Sequence, residues 1–193
     1  IKYRGIDALN YIELLEDLEF YSLIKKLDIK KENLKKEPDV NEVINYKTIT
    51  NVQDFKISKD YAIYLELYGY NYHDADIIGA FIYNGIENYY IPYEVLKENP
   101  NMLNTGFNCI TYDIKKILYA FNKDNIKLDK CNYDLMIAGY LLNLNVKDDI
   151  AYIMNNNGCN VEFYENEFGS GSKLSMPNDD VIIKNGIKKA KYI

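Results

Sequence analysis

The residues of this chain that could do chemistry begin with Glu66, which lies in the apolar stretch Ala62-Ile-Tyr-Leu-Glu-Leu67. An Asp-x-Glu pair on a buried strand places both carboxylates on one face, because strand side chains alternate with a period of two. Such a pair can share divalent ions, and the chemistry it supports is two-metal cleavage of phosphodiesters. Here the first position is Tyr64, whose phenol is neutral at pH 7 and is a poor ligand for Mg²⁺. The stretch has the form of a metal-site strand that lacks one carboxylate.

Other residue types with catalytic potential favour structural roles. The three cysteines, Cys109, Cys131 and Cys159, form an odd set without CxxC spacing, which predicts buried or half-buried thiols in a reducing compartment. His73 is the single histidine, so no zinc site is predicted, and its neighbours indicate a surface turn. Gly169-Ser-Gly-Ser172 lacks the Lys-Ser/Thr ending of a P-loop and is expected to be a mobile loop.

The cations and aromatic residues leave two interpretations open. Four lysines near the end of the chain could form a weak DNA-facing stripe or a solvated helix end that the helix dipole favours. They are Lys184, Lys188, Lys189 and Lys191. The 20 tyrosines could supply base-stacking platforms, but in this composition most are expected to be core or surface aromatics.

Composition and net charge limit the classes of protein to which this chain could belong. The 193 residues are 48% hydrophobic, enough for one domain of ordinary size with an appended element. The formal net charge of −6 argues against DNA binding as the main role, because phosphate neutralisation dominates such affinity. We find no signal peptide and no apolar run long enough for a membrane span, so a cytoplasmic protein is expected. A first residue of Ile rather than Met suggests an excised domain.

Hydrophobic periodicity divides the chain in two. Residues 10–27 have apolar side chains at three- and four-residue steps, which predicts an amphipathic helix, and the mixed charges of 28–37 predict a linker. Residues 1–45 are therefore interpreted as a tail, and residues 46–193 as the main domain.

The main domain opens with strands and continues with helices. Three strands, at 59–67, 76–83 and 87–92, are joined by short turns, and Asn84-Gly85 is a strong hairpin signal. This pattern predicts an antiparallel meander, followed by a short helix at 93–98 and a buried strand at 105–112. Further helices are predicted at 113–121, 133–143 and 148–156 and from Pro177-Asn-Asp-Asp180 onward, with a short segment at 126–131 and a polar loop at 159–176. The order predicts an α/β fold with a mixed sheet.

Four stretches together resemble one family, the 3′–5′ exonuclease-like domain of bacterial family A DNA polymerases in its degenerate Gram-positive form. They are NYHDADIIGAFIYN (71–84), GFNCITYDIKKIL (106–118), YDLMIAGYLLN (133–143) and FGSGSKLSMPNDD (168–180). The resemblance implies a ribonuclease H-like mixed β-sheet flanked by helices, with the architecture of DEDD exonucleases. The stretch LEDLEFYSLIKKL (15–27) resembles the segment that follows the 5′-nuclease domain in those polymerases.

The resemblance also implies where a catalytic site would lie. Active members use four carboxylates and a tyrosine. The first motif falls on Tyr64 and Glu66 and has lost its Asp, whereas the second falls on Tyr112-Asp113 and keeps its Asp. The third, Tyr-x-x-x-Asp, falls on Asn185 and Lys189, so that both of its functional residues are absent.

The site is therefore expected to be vestigial, with no metal or other cofactor bound by this domain and Mg²⁺ held only by the polymerase domain of the parent chain. We expect the Lys189 ammonium to lie near Glu66 or Asp113, and the Tyr64 ring to fill space that ions would occupy. The implied role is structural support for that polymerase domain, its partner, in DNA replication and repair, with DNA bound at most weakly.

Two alternatives belong to other classes. One is an active metal-dependent 3′–5′ proofreading exonuclease with a remodelled site that uses Glu66, Asp113 and either Asp134 or Asp180. The other is a module that binds single-stranded DNA without hydrolysis.

Overall fold

The structure is a computed structural model that describes residues 44–142, 144, 146 and 149–193, together with Leu15, Leu18 and Phe20. The chain divides into two compact units, Ile1–Glu42 and Val43–Ile193. Apart from those three residues, the predicted helix at 10–27 and the predicted linker at 28–37 lie outside the described part of the chain. The assignment of residues 1–45 to a tail stays a prediction, and the fold below is that of the second unit.

The second unit is an α/β structure. Its strands are β1 (Lys47–Thr48), β2 (Tyr61–Tyr68), β3 (Asp76–Tyr83), β4 (Asn88–Pro92), β5 (Leu103–Thr111) and β6 (Leu128–Asp134). Its helices are α1 (Tyr93–Glu98), α2 (Ile114–Asn122), α3 (Leu135–Leu141), α4 (Ala151–Asn156), α5 (Tyr164–Phe168) and α6 (Asp179–Tyr192), with 3₁₀ turns at Val52–Asp54 and Gly171–Lys173.

The described strands form one mixed sheet in the order β1-β4-β3-β2-β5-β6. β2, β3 and β4 pair antiparallel, as the meander predicts, while β5 joins β2 and β6 joins β5 in parallel. The hairpin between β3 and β4 turns at Gly85, whose φ of 84° suits glycine. The Asn84 side chain stabilises that turn by accepting the backbone N–H groups of Ile86 and Glu87 at 3.0 and 2.8 Å.

Alternation along β2 separates two apolar layers. Ile63 and Leu65 join the layer that includes Ile117 and Phe121 of α2. Tyr64 points to the other side, into the layer that contains α4, α5 and α6. Helix α6 packs directly against β2, β3 and β4. The sheet is therefore covered by helices on both faces, which confirms the predicted α/β fold with a mixed sheet.

The helix predicted at 133–143 begins only at Leu135, after β6 ends, and two other sequence predictions were incomplete. The segment 159–176, predicted as a polar loop, contains α5 and a 3₁₀ turn. Tyr164 and Phe168 lie one helical turn apart, their rings stack at 4.4 Å, and Phe168 is fully buried. The short strand β1 was also missed, because its two residues carry no periodicity.

Two other predictions concern thiols and membranes. Cys109 is buried, and Cys131 and Cys159 are half-buried free thiols, as expected. In the described part of the chain, no helix combines the length and the hydropathy that a transmembrane span needs.

Candidate functional site

Strand β2 carries Tyr64 and Glu66 to the face of the sheet that α6 covers. Both side chains are buried. The pairing of β2 with β3 shifts register between Glu66 and Leu67, an irregularity of the kind that β-bulges produce and that is common beside functional sites.

Lys189 of α6 reaches Glu66 directly. Its ammonium donates to Glu66 Oε2 at 2.8 Å, and the two side chains are 0% and 2% exposed. This contact confirms the expectation that Lys189 lies near Glu66. Burial lowers the pKa of Lys189, but the nearby Glu66, Tyr64 and Glu167 side chains outweigh burial and hold that pKa well above its ordinary value. Lys189 is therefore a permanent cation at neutral pH.

The Tyr64 ring lies close to two lysine side chains. The Nζ atoms of Lys189 and Lys116 lie 5.0 and 5.4 Å from the ring centroid, within range of cation–π attraction. Burial, with Glu66 nearby, raises the pKa of Tyr64 well above its ordinary value, so the phenol is neutral. Burial lowers the pKa of Lys116, while Glu66 and Asp113 act in the opposite direction. The sequence interpretation did not anticipate Lys116 as a second cation at the site.

Asp113 is the N-cap of α2. Its carboxylate accepts the Lys116 backbone N–H at 3.1 Å, and its backbone is left-handed with φ 60°, a conformation that Asp tolerates. Asp134 fixes that geometry by accepting the N–H groups of Asp113 and Ile114 at 3.0 and 2.7 Å, and that of Met136 at 2.9 Å. Asp134, a candidate ligand in the remodelled-site alternative, is thus a cap that joins the starts of α2 and α3.

Glu167 of α5 is a second carboxylate of the site that the sequence interpretation missed. Its side chain is 0% exposed, and Lys189 Nζ lies 3.8 Å from Oε2, outside hydrogen-bond distance. Neither carboxyl oxygen has a hydrogen-bond partner. Burial raises the pKa of Glu167 from 4.5 to about 7 against the opposing influence of Lys189 and of the adjacent Asn185. Glu167 therefore titrates near neutral pH.

Replacing Glu167 with Gln is expected to stabilise the fold at pH 8 and to have little effect at pH 5. Because the pKa is about 7 in the folded chain and ordinarily 4.5, the native state holds a proton that the unfolded state has lost. Native stability therefore falls as pH rises from about 4.5 through 7, by roughly 1–2 kcal/mol after allowance for solvent screening.

Urea unfolding of the two chains at pH 5 and pH 8 measures this difference. Glu165→Gln, at an exposed position on the same helix, is the matched control. An equal effect of Glu167→Gln at both pH values would show that this carboxyl does not titrate between them.

The remaining sequence candidates are distributed as follows. Asn185 is half-buried on α6 beside Glu167, whereas Asp180 is exposed in the first turn of that helix. His73 is exposed in the β2–β3 turn, against the Tyr119 ring. Lys184 and Lys191 are exposed, so the fully buried Lys189 does not belong to a surface stripe with them. No local sequence signal marks Lys116 or Glu167, since each reaches the site through packing.

A pair of divalent ions does not fit this donor set. Mg²⁺ takes oxygen ligands, but here one oxygen of Glu66 is bound to an ammonium and a second ammonium lies over the adjacent Tyr64 ring. Among the described residues, no group of three or more His, Cys, Asp or Glu side chains is arranged to hold a metal ion.

A family model covers the part of the chain that carries this site. The model for the ribonuclease H-like domain of DNA polymerase I matches residues 63–193, which include Glu66 and the whole of α6. The chain belongs to that family.

Its relatives are bacterial DNA polymerases I. The chain is 28% identical to DNA polymerase I of Bacillus subtilis (strain 168) over 200 residues, which cover 100% of this chain and 22% of the relative. It is 30% identical over 140 residues to the polymerase of Lactococcus lactis subsp. lactis (strain IL1403), which cover 72% of this chain and 15% of that polymerase. The chain thus spans about a fifth of the length of these relatives.

Solved structures show the same fold. The catalytic core of RRP6 from Trypanosoma brucei superposes with a TM-score of 0.60 at 9% identity, covering 78% of this chain and 44% of that one. Escherichia coli RNase D, an exoribonuclease involved in structured RNA processing, gives 0.54 at 13% identity, covering 77% and 42%. Both likenesses support the DEDD exonuclease-type architecture of this family member.

Proposed function

We propose that this chain is a non-catalytic 3′–5′ exonuclease-like domain of a DNA polymerase I and supports the polymerase domain of the same parent chain in DNA replication and repair. The observation that carries the proposal is the buried ion pair between Lys189 and Glu66, 2.8 Å long. It places a fixed monovalent cation on the carboxylate that a metal-dependent nuclease would need for its ions.

Electrostatics argue against metal binding at this position. A dication held about 4 Å from one ammonium is repelled by roughly 8 kcal/mol at an effective dielectric of 20. The Lys116 side chain lies 5.4 Å from the centroid of the adjacent Tyr64 ring, where its charged form would add to this repulsion. The carboxylate of Asp134, which the active alternative would recruit, is engaged by backbone N–H groups. These contacts favour the non-catalytic role over a remodelled exonuclease.

The domain is expected to release no nucleotides from a 5′-labelled single-stranded oligonucleotide in Mg²⁺ or Mn²⁺, because two-metal cleavage requires both ions. Denaturing gel electrophoresis over hours measures any shortening, and a proofreading-proficient DNA polymerase I serves as the positive control. Isothermal titration with Mn²⁺ is expected to show no saturable heat.

Shortening that is abolished both by a chelator and by Glu66→Gln would establish the active alternative. Saturable Mn²⁺ binding that Glu66→Gln removes would contradict the electrostatic argument even without hydrolysis.

The partner, ligand and location assignments follow from the same proposal. The remainder of the parent polymerase is the intramolecular partner, Mg²⁺ is held there rather than here, and the location is cytoplasmic. The formal charge of −6 leaves at most weak DNA binding to this domain, which titration of a fluorescent oligonucleotide at low salt measures.

A further inference from the structure

Helix α3 presents an apolar stripe to solvent. Ile137, Tyr140 and Leu141 are 50%, 74% and 74% exposed. Their spacing of i, i+3 and i+4 is the one that normally forms the buried face of an amphipathic helix. Leu142, which follows the helix directly, is 71% exposed. We call these four residues the α3 stripe.

The orientation of α3 is fixed by its opposite face. Gly139 is buried, and a Cβ there would lie 2.8 Å from Val146 Cγ2 and 3.0 Å from Ile153 Cδ1, so the helix backbone approaches its neighbours closely. Asp134 caps the first turn by accepting the Met136 N–H. Because α3 is held at its N-terminus and along this face, the stripe cannot turn inward without breaking both contacts.

We propose that the α3 stripe packs against an apolar surface in the remainder of the same polymerase chain. This inference rests on the proposed function, since it names the face through which the domain contacts its partner. The chain spans 22% of the Bacillus subtilis relative, so most of such a polypeptide lies outside the structure. Large exposed apolar patches commonly mark interaction surfaces.

The chemistry of the stripe favours a protein partner over nucleic acid. Helix α3, from Leu135 to Leu141, contains no charged residue, whereas binding to a phosphate backbone needs lysine or arginine. The partner surface that would fit the stripe is an apolar groove. It also offers a hydrogen-bond partner to the Tyr140 hydroxyl, since a buried tyrosine usually has one.

The size of the stripe favours a tethered partner over a second copy of the chain. Seven helical residues span about 10 Å. The apolar face of so short a helix is much smaller than the roughly 800 Å² that each partner buries in a stable complex. A segment of the same polypeptide meets the stripe at an effective concentration on the order of millimolar. A small interface is then sufficient for docking.

Photo-cross-linking in the full-length polymerase tests this inference. The photoreactive residue p-benzoylphenylalanine replaces Tyr140, and in a matched control it replaces Ile86, which is 77% exposed at the β3–β4 turn. After irradiation and proteolysis, mass spectrometry is expected to find Tyr140-site cross-links to peptides outside these 193 residues, several-fold more abundant than those from the Ile86 site. Leu141→Ser in the same chain is expected to reduce the yield.

The other outcomes overturn the inference. Cross-linked dimers on a denaturing gel would identify a second copy as the occupant. Cross-links confined to these 193 residues, or a yield equal to that of the Ile86 control, would show that nothing else in the polymerase covers the stripe. The oligonucleotide assay on the same purified proteins separates the two proposals, because release of nucleotides from the 3′ end that Glu66→Gln abolishes contradicts the non-catalytic role whatever the cross-links show.

Discussion

Replacing Lys189 with Met is expected to lower the free energy of unfolding by about 3–5 kcal/mol, the cost of removing one partner from a buried ion pair. Methionine keeps most of the length of the lysine side chain but leaves Glu66, which is 2% exposed, without the ammonium that it binds. The buried carboxylate then lacks its hydrogen-bonded counterion.

The sign of the pH dependence follows from the pKa of Lys189, which is held well above its ordinary 10.5. The stabilising contribution of the pair is fully present below 10.5 and is lost only as pH rises through the higher folded value. Urea unfolding at pH 8 therefore measures the full effect.

Two further variants sharpen this test. Lys184→Met, at an exposed position on α6, should change stability by less than about 0.5 kcal/mol. The double variant Glu66→Gln/Lys189→Met should be more stable than Lys189→Met alone, because it removes both charges. A loss below about 1 kcal/mol for Lys189→Met would mean that the pair is not desolvated as the structure indicates.

Replacing Gly186 with Ala is expected to destabilise the protein by about 1–3 kcal/mol through overpacking. At an exposed position inside a helix the same substitution would gain roughly 1 kcal/mol. Here the new Cβ would lie 2.4 to 2.5 Å from ring atoms of Phe81. That ring is fully buried and stacks on Tyr90 at 5.1 Å, so it has little room to move.

Thermal or urea unfolding compares the stability of Gly186→Ala with that of Lys184→Ala. Because position 184 is exposed on the same helix, the control shows the effect of helix propensity without the clash. Phe81→Leu in the same chain as Gly186→Ala should recover part of the loss, since the smaller side chain makes room for the added methyl group. Unchanged or increased stability of Gly186→Ala would show that α6 can move away from β3 at little cost.

Much of the fold follows from local sequence signals. The strand predicted at 76–83 has the same bounds in the structure, and the turn predicted at Asn84-Gly85 forms the hairpin. Helix α2 starts at Ile114, one residue after the predicted start, because Asp113 caps it. These features depend on alternation, turn residues and capping, which are set by residues within a few positions of one another.

The candidate site was only partly predictable. The family resemblance located Tyr64, Glu66, Asp113 and Lys189, and chemical type alone indicated that a lysine near a buried carboxylate would form a pair. Neither the resemblance nor the chemical type indicated Lys116, which reaches the Tyr64 ring from α2. Glu167 was also missed, because the helix that buries it was predicted as a loop.

The sequence by itself determined the order of most strands and helices, the apolar faces and the number of carboxylates left in the motifs. Only the tertiary structure decided that Lys189 meets Glu66, a partner 123 positions away, and that the apolar face of α3 points to solvent. The reason is that periodicity specifies which side chains share a face but not what lies opposite. The partners of that face are set by sheet register and by how helices pack across the sheet, and these depend on the whole chain at once.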